Sequence, residues 1–370
     1  MKPENIPFCN LELVNKPFKA EIESTLIEVF RSNHYILGKQ TIEFEKEFAK
    51  YCGSKFCVSL ANATDALEIS LKALGILSKD TVMLSANAGG YASTAINNIG
   101  AKCAYVDVDP VNMNISVDHL DEKMLRNAKA IIITHLYGNI ANIKEIVKIA
   151  NQFEIKIIED CSQAHGARIN STHVGNFGDI GCFSFYPTKN LGALGDAGAI
   201  ITNQPELAVK VQQIKQYGWD KKYLASELLG QNSRMDELQA AILRIKLKEL
   251  ENYNTQRKEM AETYFQSLSN LPLIFQTKLI QDSVFHLFVI REKKRDKLRS
   301  YLASHYIMTE IHYPLPDYRQ KNFSRYCTNK ILLAQTEKDV KSILSLPIYP
   351  NQPSENIEKI VEKIKLFYTK

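Results

Sequence analysis

The chain has 370 residues, 45% hydrophobic and 24% charged, with a formal net charge of +5, a globular composition with enough length for a sizeable core and two domains. The charge is spread without a run of five or six like charges, which argues against a nucleic-acid partner, and no apolar run approaches the roughly 18 residues that would span a bilayer. The opening MKPENIPFCN lacks a signal-peptide core, and the seven scattered cysteines form no CxxC pair, so a cytoplasmic protein without disulfide framework or metal site is expected.

The segment TDALEISLKALG places Leu67, Leu71 and Leu74 at helical spacing with Gly75 as the stop. Ser59, Asn62 and Thr64 precede or open that helix, where free N–H groups and the helix dipole favour an anion. The runs TVMLSANAGG, AKCAYVDVDP, AKAIIITHLYGN, EIKIIEDCSQAHG, IGCFSFYP and GAIITNQ are short, β-rich and end in polar or glycine residues, several with helical stretches between them. That alternation predicts an α/β fold with a largely parallel sheet covered on both faces. From Asn232 to about Ser267 there is no glycine or proline, and Met235, Leu238, Ile242 and Ile245 recur at helical spacing, which predicts one long helix. Beyond Pro272 short strands such as VFHLFVIR mix with helices such as ENIEKIVEKIKLF, so a large domain over residues 1–250 and a smaller α/β domain over 251–370 are expected.

In open α/β sheets the ligand lies beyond the carboxyl ends of the strands. Asp160 ends the run EIKIIED, and Ser184 and Lys189 follow another such run in CFSFYPTKNLGALGDAGA. Each has an ordinary use: Asp160 as a turn or helix cap, Ser184 as a strand hydroxyl, Thr64 as an N-cap, and Lys189 as a charge on a glycine-rich surface turn. Their joint presence has a chemical meaning. An anion site, a carboxylate able to keep a ring nitrogen protonated and a lysine able to form an imine are the parts that pyridoxal 5′-phosphate (PLP) requires, with the nearby glycines letting the backbone pass close to the cofactor.

These residues, with the stretches YILGKQTIEFEKEFAKYCG, NATDAL, IIEDCSQAHGA, FSFYPTKNLGALGDAGA and GQNSRMDELQAAIL, resemble the DegT/DnrJ/EryC1/StrS family of nucleotide-sugar aminotransferases over nearly the whole chain. The resemblance implies the aspartate aminotransferase fold (PLP fold type I), with a mostly parallel seven-stranded sheet and a smaller C-terminal α/β domain. It implies that Lys189 carries the imine and shuttles the proton, that Asp160 holds the pyridine nitrogen and that Gln163 lies near the phenolic oxygen. Ala63, Thr64 and Ser184 then match phosphate ligands, and Asn232 matches a residue reaching the phosphate of a neighbouring subunit, so that a homodimer shares its sites. The family usually has glycine where this chain has Ala63. Where many relatives place a large aromatic against the ring, this chain has Ala88 to Gly90, leaving Tyr91 to stack or merely to pack.

SFYPTKNLGALGDAGA, NSRMDELQAAIL and IHYP are most similar to the branch that aminates C3 of dTDP-linked 3-keto-6-deoxyhexoses. Its products are 3-amino-3,6-dideoxyhexoses of surface polysaccharides such as O-antigen or S-layer glycan. Branches acting at C4 of dTDP- or UDP-linked 4-keto-6-deoxyhexoses more often read NYR in place of NSR. The resemblance puts Tyr186 near the reacting carbon, Arg234 near the cofactor or diphosphate, and His312 and Tyr313 along the sugar, although the last two also suit a turn before Pro314. L-Glutamate would leave as 2-oxoglutarate, generating the pyridoxamine phosphate form, before the keto sugar takes the amine. Relatives that dehydrate sugars have histidine in place of the lysine, and a catalytically silent binding or regulatory protein of the same fold is the reading from another class.

Overall fold

A computed structural model describes residues 5–277, 280–323, 327 and 333–369. The strands of its first part are β1 (Phe56–Leu60), β2 (Thr81–Ser85), β3 (Lys102–Val106), β4 (Ala128–Thr134), β5 (Lys156–Asp160), the small hairpin β6 (Arg168–Ile169) and β7 (Thr172–His173), β8 (Ile180–Ser184) and β9 (Gly198–Thr202). Seven of them form a sheet in the order β1-β9-β8-β5-β4-β2-β3. Neighbours from β8 to β3 are parallel, and β9 runs antiparallel between β1 and β8. The sheet is buried on both faces, as its nearly continuous apolar strands require. Val82 and Leu84 pack with the helices Ala63–Ala73, Tyr91–Asn98 and Pro205–Ile214, while the alternate Met83 points to the opposite core with helix Ile143–Gln152. Helices Lys39–Cys52 and Glu237–Leu247 pack over Phe183, Ala199 and Ile201.

After a hairpin of β10 (Trp219–Lys221) and β11 (Leu224–Ala225), a second sheet joins β12 (Ile274–Phe275), β13 (Phe288–Arg291) and β14 (Ile343–Leu346), all antiparallel. Its core takes residues from the helices Leu250–Leu268, Arg295–Ser304 and Ser354–Thr369, and also Ile6, which bridges to Ile307. The proposed boundary at residue 250 falls where the second of two consecutive helices begins. No described helix is long and apolar enough to cross a membrane.

Two sequence expectations change here. The single long helix is in fact two, Glu237–Leu247 and Leu250–Leu268. No glycine or proline forces the break; Ala240 and Leu243 face the core of the large sheet whereas Met260, Ala261, Tyr264 and Leu268 face that of the small one, and the chain redirects at Lys248 and Glu249 to serve both. The run FCVSL, passed over as a strand, is β1, the edge strand that leads into helix Ala63–Ala73.

Glu237 ties the two ends of the large domain together. Its buried carboxylate accepts the N–H groups of Gly38, Gln40 and Thr41 at 3.0, 2.7 and 2.8 Å and the Thr41 hydroxyl, and so caps the helix Lys39–Cys52 in place of a local cap. Negative charge at a helix start is favourable, and hydrogen bonds to charged groups contribute more than neutral ones. Glu237→Ala is expected to lower the stability of the protein by about 2 to 3 kcal/mol, measured as a shift in the urea midpoint; an unchanged midpoint would contradict this role.

Candidate active site

The carboxyl ends of β1, β4, β5 and β8 open onto one cavity of about 560 Å³. Gly198, the first residue of antiparallel β9, pairs with both Leu60 and Ser184 at that end of the sheet. A Cβ there would stand 2.4 Å from the backbone carbon of Asn62, so only glycine lets the sheet meet the start of helix Ala63–Ala73. At that start the Asn62 side chain accepts Asp65 N–H at 2.8 Å. The cap leaves the amides of Ala63 and Thr64, both on the cavity wall, as the uncapped donors that suit an anion. Ser59 takes no part: it is fully buried, and its hydroxyl donates to Glu45 at 2.6 Å.

Asp160 ends β5 and is 6% exposed. Its Oδ1 accepts Ser162 N–H at 3.1 Å, and the rest of the carboxylate is available to the cavity. Gln163 is held in one orientation. Its Oε1 accepts Tyr137 N–H at 2.6 Å and its Nε2 donates to the Tyr313 hydroxyl at 3.3 Å, so the remaining N–H can only donate. Ser184, at the end of β8, accepts Tyr186 N–H at 3.3 Å and lines the same wall.

Lys189 sits on a turn that closes tightly on protein. Its N–H donates to Tyr186 O at 2.8 Å, Phe185 pairs with Ala193 and Ala197, and buried Lys246 donates to Gly192 O at 2.7 Å. A Cβ at Gly192 would stand 2.3 Å from Pro187 O. Gly192 and Gly198 therefore make room for protein backbone, a correction to the expectation that they make room for the cofactor. The Lys189 ammonium has no hydrogen bond among the described residues, and burial lowers its pKa to about 8 against the opposing pull of Asp160.

The cavity also collects Tyr91, Tyr186, His312 and Tyr313. The Tyr91 and Tyr313 rings stand nearly perpendicular, 6.3 Å apart, and the Tyr313 ring occupies the space a side chain at Gly89 would need. His312 bonds Ser345 Oγ at 2.9 Å, and burial near Lys189 lowers its pKa to about 4, so it is neutral. Arg234 and Asn232 are not on the wall: Arg234 lies within reach of the charge of Lys215, and Asn232 is exposed beside Gln216. Of the twelve residues that the family resemblance implies for the site, the structure thus gathers ten and leaves these two outside.

Sequence reasoning missed His286, which lines the cavity between β12 and β13. Asn190 donates through Nδ2 to Asn254 Oδ1 at 2.8 Å and to Val284 O at 3.1 Å, so its oxygen faces His286 Nδ1 at 3.1 Å. His286 Nδ1 therefore carries the proton and Nε2 is left as a bare acceptor; burial keeps the ring neutral. The only signal in the sequence was a polar residue inside VFHLFVIR, indistinguishable from a buried core histidine. Thr188 and Asp196 were likewise overlooked as wall residues.

The donor set fits PLP: an amine of lowered pKa, a nearly buried carboxylate with free acceptor capacity, a fixed amide donor and uncapped helix amides all face one space of suitable size. Residues 17–365 match the model of the DegT/DnrJ/EryC1/StrS aminotransferase family. The chain is 41% identical to a dTDP-3-amino-3,6-dideoxy-alpha-D-galactopyranose transaminase of Aneurinibacillus thermoaerophilus over 98% of this chain and 99% of that one. Its structure is similar to that of S. venezuelae DesV in complex with a ketimine intermediate, with a TM-score of 0.95 and 32% identity over 99% of both chains. It is also similar to NtdA from Bacillus subtilis with bound cofactor PMP, with a TM-score of 0.94 and 30% identity over 100% of this chain and 86% of that one.

Proposed function

Because the chain belongs to the DegT/DnrJ/EryC1/StrS aminotransferase family, and is thereby a PLP-dependent nucleotide-sugar transaminase, we propose that it moves the amino group of L-glutamate to C3 of a dTDP-linked 3-keto-6-deoxyhexose. The observation that carries the regiochemistry is the 41% identity, over almost the full length of both chains, to a transaminase named for a dTDP-3-amino-3,6-dideoxyhexose. The product would be a 3-amino-3,6-dideoxyhexose destined for a surface polysaccharide, made in the cytoplasm.

When bound, PLP would supply the aldehyde carbon that carries the amino group between two half-reactions and the ring that accepts the electron pair. Lys189 would hold it covalently through the neutral amine and would move a proton between C4′ and the substrate carbon. Asp160 holds the proton on the ring nitrogen. Gln163 donates to the phenolic oxygen through the one N–H that Tyr313 leaves free. The amides of Ala63 and Thr64 and the Ser184 hydroxyl hold the phosphate, while Tyr91 covers the ring. Tyr186, His312 and Tyr313 line the sugar, His312 as a neutral hydrogen-bonding group.

Asn232 and Arg234 serve a neighbouring subunit in this reading. The surface beside them supports it: Tyr223, Leu224 and Leu228 are 73%, 63% and 86% exposed around the β10–β11 hairpin, an apolar patch of the kind that marks an interface. Asn232→Ala should weaken PLP retention in the dimer without unfolding the subunit; retention equal to the parent would remove the shared site.

Capture of PLP needs the neutral amine, so its rate should rise with pH up to about 8 and then level off. At pH 7 about one lysine in ten is then ready, against about one in three thousand for an ordinary lysine. Stopped-flow capture rates that keep climbing beyond pH 9 would show an unperturbed amine. The function itself is tested with PLP-loaded protein: glutamate should bleach the visible band, and the 3-keto sugar should restore it. Restoration by a 4-keto-6-deoxyhexose alone would place amination at C4, and no band at all would leave a silent protein of the same fold.

A further inference from the structure

Behind His286 and His312 lies a second chamber of about 200 Å³, which shares Thr188, His286, Leu287 and His312 with the main cavity. Its wall contains Arg257, 3% exposed, from the helix Leu250–Leu268. Nη1 donates to the carbonyls of Phe285, His286 and Ile348 at 3.2, 3.2 and 2.9 Å, and Nε is enclosed with no acceptor. Nη2 has no hydrogen-bond partner among the described residues and, unlike Nε, is not enclosed, and the chamber is the space that Arg257 lines. Burial lowers the guanidinium to about 10, so it is cationic at any working pH, and no carboxylate among the described residues pairs with it. A buried cation without an anion is costly, which makes this chamber a place where an arriving carboxylate is favoured.

The other charged and titratable groups facing it do not fill that role. Cys9 is a thiol whose pKa burial pushes up, and His286 and His312 are neutral. Glu310 also touches the chamber, but its side chain is 54% exposed and pairs outward with Arg299 at 3.8 Å. His286 stands between Lys189 and Arg257 and feels the charge of both.

We infer that this chamber receives the side-chain carboxylate of the amino donor, with Arg257 Nη2 as its counter-charge. The inference rests on the proposed use of glutamate and adds where its far end lies. The α-carboxylate, one bond from the carbon that carries the amine, must stay in the main cavity beside Lys189. The side-chain carboxylate is two methylenes further away and can pass the His286 and His312 wall.

The test uses the full-length PLP-loaded protein in single turnovers with L-glutamate and, separately, L-alanine, which lacks the second carboxylate. Cys9→Trp fills the chamber while keeping Arg257 and its charge in place, and Arg257→Met removes the charge. Both variants should lose about 10- to 100-fold in apparent affinity for glutamate, and in Cys9→Trp the slower reaction with alanine should be unchanged. Amine transfer from pyridoxamine-phosphate-loaded Cys9→Trp to the keto sugar should match the parent. Equal losses with alanine and glutamate would mean that the chamber only supports the fold and would overturn the inference, as would unchanged glutamate affinity in Cys9→Trp. A parent protein that responds to alanine but not glutamate would instead overturn the choice of donor, and the chamber's role with it.

Discussion

Lys189→Ala is expected to reduce turnover by at least about 10⁴-fold, because in the proposed function one residue supplies both the covalent hold on PLP and the proton transfer. The loss should be chemical and not structural. Lys189 makes no side-chain hydrogen bond among the described residues, and the turn that carries it is held by backbone bonds of Tyr186 and Phe185 and by Lys246 on Gly192, none of which needs the amine. Compared without cofactor, the variant should therefore melt at or above the temperature of the parent, since it removes a cation that burial disfavours. Small primary amines added to the solution should restore part of the proton transfer. Turnover within tenfold of the parent would remove Lys189 from the chemistry.

Asp160→Ala is the second large effect, expected at about 10³-fold in the rate of each half-reaction. A carboxylate that is 6% exposed and accepts a single described hydrogen bond, from Ser162, has the capacity to hold a proton on a ring nitrogen, and its removal leaves that nitrogen to lose its proton. The diagnostic is a cofactor analogue methylated on the ring nitrogen, which carries the positive charge permanently. Reconstitution of Asp160→Ala with it should recover most of the lost rate; no recovery would mean that Asp160 acts by shaping the end of β5.

Much of the fold could be read in advance because its signals are local. Six strands of the large sheet stood out as β-rich runs ending in polar or glycine residues, and helix Ala63–Ala73 as a 3.6-residue pattern with Gly75 as its stop. The split at Lys248 and Glu249 was invisible, since a pattern of uninterrupted helix formers does not say which core each turn will face. Ser59 misled for the opposite reason: a hydroxyl close to a helix start looks like an anion ligand until its partner, Glu45, arrives from another helix.

The sequence by itself determined the chemistry on offer: a lysine, a carboxylate and a helix start, each just past a strand, in a pattern that resembles one family along nearly the whole chain. Only the tertiary structure decided how those groups meet and what surrounds them. The antiparallel insertion of β9 brings Gly198 against Asn62 and so sets the helix amides beside Ser184. The Asn254, Asn190 and His286 chain, drawn from segments 32 to 96 residues apart, leaves a histidine nitrogen bare at the wall, and the same packing buries Arg257 without an anion. Tautomer, desolvation and charge pairing are properties of neighbours distant in the chain, and a linear pattern carries no record of which neighbours those will be.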